Sequence, residues 1–313
     1  MFYVSDATGS TTATASGTDG VYIYGTQVEN LSSGGPTVFS ETTTQIHREY
    51  APSLKSVATA GQPRFEYDPA TNVGRGLLIE SQSTNELFHS EDFDDSYWSK
   101  STGGTSPSIN LTITSNAAMS PSGELAADLV VPKSTGGNTL YYIAKTYSFT
   151  SGDTYTLSVY AKAAGMTQFT LAAGNTGTWA ASTRFTLTGD GTTSVSSGSA
   201  KIEKCGNGWF RLSITGTAGA STSTNLLLQC ISSGQNSFDG DDYSGVLLWG
   251  AQFEEGSFAS SYVHTLLSAK TRAKDNLSIT DPSLFTGNAG TIAFEGQTLG
   301  GSTGFGRFWS VSD

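Results

Sequence analysis

An antiparallel all-β sandwich or barrel is the fold class this sequence predicts, on three grounds: composition, strand periodicity and turn spacing. The 313 residues include 44 Ser, 43 Thr and 37 Gly, types that hold helix interiors poorly. Charged residues make up 14% of the chain, against ~25% in typical soluble domains, so helical bundles and coiled coils are excluded. The 16 Phe, 13 Tyr and 5 Trp supply the apolar mass that a disordered chain lacks.

In chain order, Gly76–Glu80 (GLLIE) reads as a short apolar strand and Leu140–Phe149 as a longer one. Thr154–Lys162 alternates strictly. Tyr155, Leu157, Val159 and Ala161 share one face, and Thr156, Ser158, Tyr160 and Lys162 share the other, the period of a half-buried strand. Met166–Leu171 follows, then Ser182–Thr188 with Phe185 and Leu187 inward, and Trp209–Thr215 with Phe210, Leu212 and Ile214 inward. Asn225–Ile231 and Gly245–Phe253 complete the set. Between them stand the turn sequences Ser151-Gly152-Asp153, Gly189-Asp190-Gly191 and Gly206-Asn207-Gly208, which favour tight reversals. Short strands so regularly spaced fit a sandwich or barrel.

The formal net charge is −11 with no Lys/Arg run, which disfavours nucleic acid as a partner. No run of 18 apolar residues marks a membrane helix, and MFYVSDATGS lacks the basic and apolar regions of a secretory signal. Cys205 and Cys230 each sit in a strand-like apolar stretch, so two buried thiols are expected rather than a disulfide.

A length of 313 residues exceeds one comfortable core, and an internal repeat suggests how it is divided. Residues 20–29 read GVYIYGTQVE and residues 245–254 read GVLLWGAQFE, identical at five of ten positions. Residues 1–41 are therefore expected to hold the closing strands of a preceding module. Residues 42–86, with Pro52, Pro63 and Pro69, read as an extended connector with one short strand. Residues 87–265 form the central β domain. Residues 266–313 read as a linker followed by the incomplete start of a C-terminal sandwich.

Four strings then carry a family resemblance: PRFEYDPATNVGRGLLIESQSTNELFHSEDFDDSYWSK (Pro63–Lys100), YTLSVYAKAAG (Tyr155–Gly165), IEKCGNGWFRLSIT (Ile202–Thr215) and GVLLWGAQFEEGSFASSYVHT (Gly245–Thr265). In this order they resemble a jelly-roll module, similar to carbohydrate-binding modules, of tail and virion proteins of tailed bacteriophages. The closing TIAFEGQTLGGSTGFGRFWSVSD resembles the opening of a laminin-G/concanavalin-like sandwich. The resemblance implies an all-β jelly-roll with partial β modules at both ends. It also implies a structural and adhesive protein rather than an enzyme: a tail-fibre or tail-spike segment, homotrimeric, built into the virion beside other virion proteins and attached to a host-surface glycan. Assembly in the bacterial cytoplasm suits the start of the chain and its unpaired cysteines. The alternatives are a head-decoration or neck protein with no receptor role, and a glycan-degrading depolymerase.

No catalytic constellation appears. His47, His89 and His264 lack metal-ligand spacing, and neither a G-x-S-x-G elbow nor a P-loop is present. Two acidic clusters remain: Glu91, Asp92, Asp94 and Asp95 before Trp98, and Asp239, Asp241 and Asp242 before the closing strand. Paired carboxylates can run glycoside hydrolysis, although in turn regions they are usually solvated. No cofactor is expected beyond a possible structural Ca²⁺. Carbohydrate-binding jelly rolls often carry one near the first and last strands, which points to Glu91, Asp92 and Glu254 as ligands offering hard oxygens. Sugar recognition needs flat aromatic faces. Its candidates are Trp179 in a Gly/Thr/Ala-rich loop, Tyr160 on the outward side of its strand, and Tyr142, since of Tyr141 and Tyr142 one must face outward. Trp209, Phe210 and Trp249 are expected in the core.

Overall fold

The computed structural model describes residues 63–67, 73–101, 110–173 and 181–276, all within one compact unit, Tyr50–Asp313. The N-terminal repeat copy and the C-terminal string lie outside the described residues. So does Trp179. Among the described residues there is no helix, and the chain forms antiparallel strands throughout. They are β1 (Phe65–Tyr67), β2 (Gly74–Leu77), β3 (Ser83–Asn85), β4 (Ser99–Lys100), β5 (Leu111–Met119) and β6 (Leu125–Pro132). Then come β7 (Thr139–Leu140), β8 (Tyr142–Ser148), β9 (Thr154–Ala164), β10 (Gln168–Ala173), β11 (Ala181–Thr186) and β12 (Thr192–Ser197). The last six are β13 (Ser199–Lys204), β14 (Trp209–Thr217), β15 (Ser223–Ile231), β16 (Ser237–Phe238), β17 (Gly245–Glu255) and β18 (Lys270–Arg272).

Two six-stranded sheets make a jelly-roll sandwich. The first has the order β12-β11-β10-β15-β8-β4 and the second β13-β14-β9-β17-β6-β5. Chain-distant strands lie side by side in both, β10 beside β15 and β9 beside β17, so connections must pass between the sheets. The core fills the space between them. Tyr155, Leu157, Val159 and Ala161 of β9 point into it, with Phe185 and Leu187 from the first sheet and Phe210, Leu212 and Ile214 from β14. These are the inward residues that alternation predicts. Cys205 and Cys230 are free and buried, and burial pushes both thiols up to about 12.

The two glycines of GVLLWGAQFE have distinct physical roles. A Cβ on Gly245 would stand 2.3 Å from the Val130 carbonyl oxygen, so the close approach of β6 at this point requires a residue without a side chain. Gly250 adopts φ +63°, a left-handed conformation in which glycine carries no Cβ penalty, and it sits in a β-bulge where the β17–β9 register shifts between Trp249 and Gln252. The extra residue reverses the parity of the strand. Before the bulge Val246 and Leu248 face the core; after it Ala251 and Phe253 do. Gln252 and Glu254 are thereby turned to the outer face of the second sheet.

That outer face is covered. A second apolar cluster of Ala127, Tyr160, Cys205, Trp209, Leu247 and Trp249, with Tyr262 against it, lies there. Trp209 and Trp249 are thus buried as expected, but in this outer layer, while Phe210 lies between the sheets. Residues 85–90 run along the second half of β17, with Glu86 N donating to the Phe253 carbonyl and Ala251 N to the Ser90 carbonyl. The Asn85 amide donates to the Ala251 and Val263 carbonyls and accepts from Phe253 N, tying this segment to residues 256–265.

Asp128 on β6 is a buried carboxylate. It accepts from Phe93 N at 2.8 Å and from Asn116 N at 2.9 Å. Burial pushes it up to about 6, against those two hydrogen bonds, with Asp92 and Asp94 adding to the rise. The fold therefore holds this proton more tightly than the unfolded chain, whose carboxyl titrates near the ordinary 3.8. Stability from this group is greatest at and below pH ~4 and is lost as pH rises through ~6, a cost of about 3 kcal/mol at neutrality. We expect Asp128→Asn to flatten the pH dependence of the melting temperature between about pH 4 and 6. Thermal melts across that range check this, and a variant profile as steep as the wild type would refute it.

Candidate functional site

Two carboxylates organise the outer face of the second sheet. Glu254, placed outward by the bulge, accepts from Gln252 Nε2 at 2.7 Å, Ser260 N at 3.0 Å and Ser260 Oγ at 2.6 Å, and from Ser83 Oγ. Glu80 accepts from Arg64 Nη1 at 2.9 Å and from Ser261 N at 2.8 Å, and Arg272 lies 3.6 Å away. Asp275 accepts from Glu80 N at 2.7 Å and pairs with Arg64. Burial alone would raise the Glu80 carboxyl; hydrogen bonds from Ser261, the charge of Arg272 and a hydrogen bond from Arg64 outweigh it and hold it below its usual range. The same balance, with Arg64 as the main partner, lowers Asp275. This clasp joins residues 64–85 to residues 254–275.

Beside the clasp a groove of about 280 Å³ opens over β13 and β14. Glu66, Arg75 and Leu78 of the β1–β2 ribbon form one wall, Lys201, Glu203, Arg211 and Ser213 the floor, and Ser257, Phe258 and Ser261 the other wall. Its charges are set in pairs: Arg75 with Glu66 at 3.3 Å and Lys201 with Glu203 at 2.7 Å. Arg211 is held by the Ser260 carbonyl at 2.6 Å and stands over the Tyr160 ring, while its Nε is buried without a partner. The groove therefore presents donors and acceptors in alternation with one ring, Phe258. That is the set hydroxyl-rich ligands require.

Of the expected ligand residues, the two that are described, Tyr160 and Tyr142, lie on different sheets. Tyr160 points away from the inter-sheet core, as alternation predicts, yet it is only 2% exposed. Trp249 at 5.3 Å and Tyr262 at 6.2 Å close over it, so it supports the groove floor and offers no open face. Tyr142 is half-buried on the first sheet, on the far side of the sandwich, while Tyr141 is buried with its hydroxyl donating to the Lys133 carbonyl.

The expected cation ligands are likewise separated. The Glu254 oxygens are taken by Ser83, Gln252 and Ser260, and Glu91 accepts from the Tyr262 hydroxyl at 2.9 Å. Among the described residues the set of three side chains close enough to share an ion is instead His89, Asp92 and Asp95. The second acidic cluster builds a turn: Asp239 accepts from Thr135 N, Asp241 from Tyr243 N and Ser244 N, and Asp242 from Ser134 N. Two of these residues also border a separate cavity of about 200 Å³ beside Met166 and Phe238.

Arg211, Lys201 and Glu203 escaped the sequence reading. Their signal was available: each is a charged residue at an outward position of an alternating strand, flanked by core residues such as Ile202 and Leu212. The clasp left none, because its two halves, residues 64–85 and 254–275, are drawn together by bonds that span 171 to 211 residues.

No protein-family model matches the chain, and no curated protein matches it in sequence. Solved structures resemble it at low identity. The enzymatically active domain of tailspike protein 4 from bacteriophage CBA120 aligns at TM-score 0.32 and 14% identity, over 55% of this chain and 21% of that one. The module TmCBM61, solved with β-1,4-galactotriose, aligns at 0.32 and 9% identity, over 55% of this chain and 99% of the module. The CBM22-1–GH10 modules of Clostridium thermocellum xylanase 10B, complexed with xylohexaose, align at 0.32 and 12% identity, over 59% of this chain and 30% of that one. No residue role is carried over from them.

Proposed function

We propose that the chain is a non-enzymatic virion structural protein of a tailed phage, a tail-fibre or tail-spike segment that holds a host-surface glycan in the groove over β13 and β14. The groove is the observation that carries the reading: paired charges, hydroxyls and Phe258 suit sugar hydroxyls and C–H faces. The ordered strings that resemble phage virion modules support the setting. Free, buried thiols suit assembly in a reducing cytoplasm, and an acidic, Ser/Thr-rich chain stays soluble at high copy number.

The test is a glycan array and host-cell labelling with the fluorescent full chain. Lys201→Ala/Glu203→Ala, which removes an exposed pair from the floor, is expected to weaken glycan binding about tenfold or more with an unchanged melting temperature. A blank array together with unlabelled cells would overturn the attachment role and favour a decoration protein. Loss of viscosity of host polysaccharide on incubation would overturn the non-enzymatic reading.

A further inference from the structure

Of the cations that line the groove, Arg211 alone has no carboxylate paired with it among the described residues. Arg75 pairs with Glu66 and Lys201 with Glu203, while Glu80 belongs to Arg64. Glu203 stands directly across the β13–β14 ladder from Arg211, yet Lys201 takes its carboxylate at 2.7 Å. Glu254 also acts on Arg211, but its oxygens are spent on Ser83, Gln252 and Ser260. The guanidinium is left with neutral acceptors. Nη2 donates to the Ser260 carbonyl at 2.6 Å and to Ser158 Oγ at 3.4 Å. Nη1 makes no hydrogen bond among the described residues, and Nε is buried without an acceptor. A charged group with donors unspent is costly to bury, so its position on a groove floor calls for an acceptor from outside the chain.

We infer that the groove takes an acidic glycan, one that carries a carboxylate, and that Arg211 receives that carboxylate. The inference rests on the glycan-binding reading of this groove and narrows it to acidic sugars. The chemistry selects a carboxylate among anions. One unpaired cation matches a monoanion, whereas a phosphate monoester brings about −1.5 to −2. A guanidinium is planar and weakly hydrated, which suits a planar carboxylate better than an ammonium would. Arg211 is also preset. The Ser260 carbonyl and the Tyr160 ring already hold it, so little side-chain freedom is lost when the ligand arrives.

An acidic ligand must still approach a chain of net charge −11. That excess lies outside the groove, whose lining sets Arg75, Lys201 and Arg211 against Glu66, Glu80 and Glu203. Charges more than ~8 Å away are largely screened at physiological ionic strength, so the ligand meets this local balance rather than the net charge. Ser257 and Phe258 on the facing wall remain for the hydroxyls and C–H face of the same sugar.

The first test is an array of uronic-acid, sialic-acid, sulfated, phosphorylated and neutral glycans, probed with the fluorescent full chain. Carboxylated members are expected to dominate the bound set. The tightest of them is then titrated in its native form and with its carboxylates reduced to alcohols. The reduced form should bind at least ~10-fold more weakly, and added salt should weaken only the native form. This comparison uses the wild-type chain and needs no variant to fold. Arg211→Gln, its fold checked by far-UV circular dichroism, should bind the two forms alike. Preference for neutral, sulfated or phosphorylated glycans overturns the inference and leaves glycan attachment standing; a blank array with unlabelled host cells overturns both. Equal binding of native and reduced forms by the wild type, or an Arg211→Gln chain that still prefers the native form, overturns it as well.

Discussion

Phe253→Ala is expected to destabilise the sandwich by about 3–5 kcal/mol, the range for emptying a buried aromatic site. Phe253 is fully buried and stands at the centre of an aromatic group, stacked on Tyr155 at 5.5 Å and edge-on to Tyr147 at 4.6 Å and Phe149 at 5.7 Å. These rings come from β8, β9, β17 and the turn after β8, so one truncation loosens both sheets. The backbone of Phe253 cannot follow the cavity inward, because Asn85 and Glu86 hold its N–H and carbonyl. Phe253→Leu keeps most of the volume and should cost about 1–2 kcal/mol. Urea denaturation with tryptophan fluorescence measures both. An alanine variant within 1 kcal/mol of wild type would place the core elsewhere.

Glu254→Ala should cost a comparable 3–5 kcal/mol, for a different reason. It leaves the buried Ser260 N without its acceptor and leaves Gln252 Nε2 and Ser260 Oγ only their longer contacts at 3.3–3.5 Å, and a stranded buried donor costs about 1–3 kcal/mol. It also removes a negative charge that acts on Arg211, whose guanidinium is anchored to the Ser260 carbonyl. Glu254→Gln keeps one acceptor oxygen and lets the serine hydroxyls rotate, so it should lose about half as much. Hydrogen exchange should show residues 256–265 losing protection in the alanine variant while β10 and β15 keep theirs. Uniform loss, or none, would contradict the clasp.

Alternation read the interior of this fold correctly and its exterior poorly. The inward residues of β9, β11 and β14 follow from period two, because a strand facing a core has no other way to bury its apolar set. Tyr160 shows the limit: the pattern says which face a side chain takes, not whether another segment lies on it. β5, β6, β12 and β13 were missed, β6 because it buries both faces, with Val130 in the inter-sheet core and Ala127 in the outer cluster, and so does not alternate. β12 (Thr192–Ser197) and most of β5 are exposed, and a sheet edge that buries little needs no apolar rhythm. The repeat drew attention to Gly250, but the reversed parity behind it depends on a backbone angle that no periodicity displays. The four strings that carried the resemblance turn out to be largely one object: β9, β13, β14, β17 and the segments laid over them.

The pairing of β3 with β18 has a mechanical consequence. Ser83 faces Arg272 and Asn85 faces Lys270, so the chain enters before Ser83 and leaves after Arg272 at the same end of this short antiparallel pair. Tension along the polypeptide arrives at that end and loads the rungs one after another, as in opening a zip, rather than together in shear. Arg64, Glu80 and Asp275 lie ahead of it in the load path and part before the large sheets bear force. Each residue peeled away would lengthen the chain by about 3.3–3.6 Å, so under a pull applied at both flanks the clasp would yield length before the two six-stranded sheets opened.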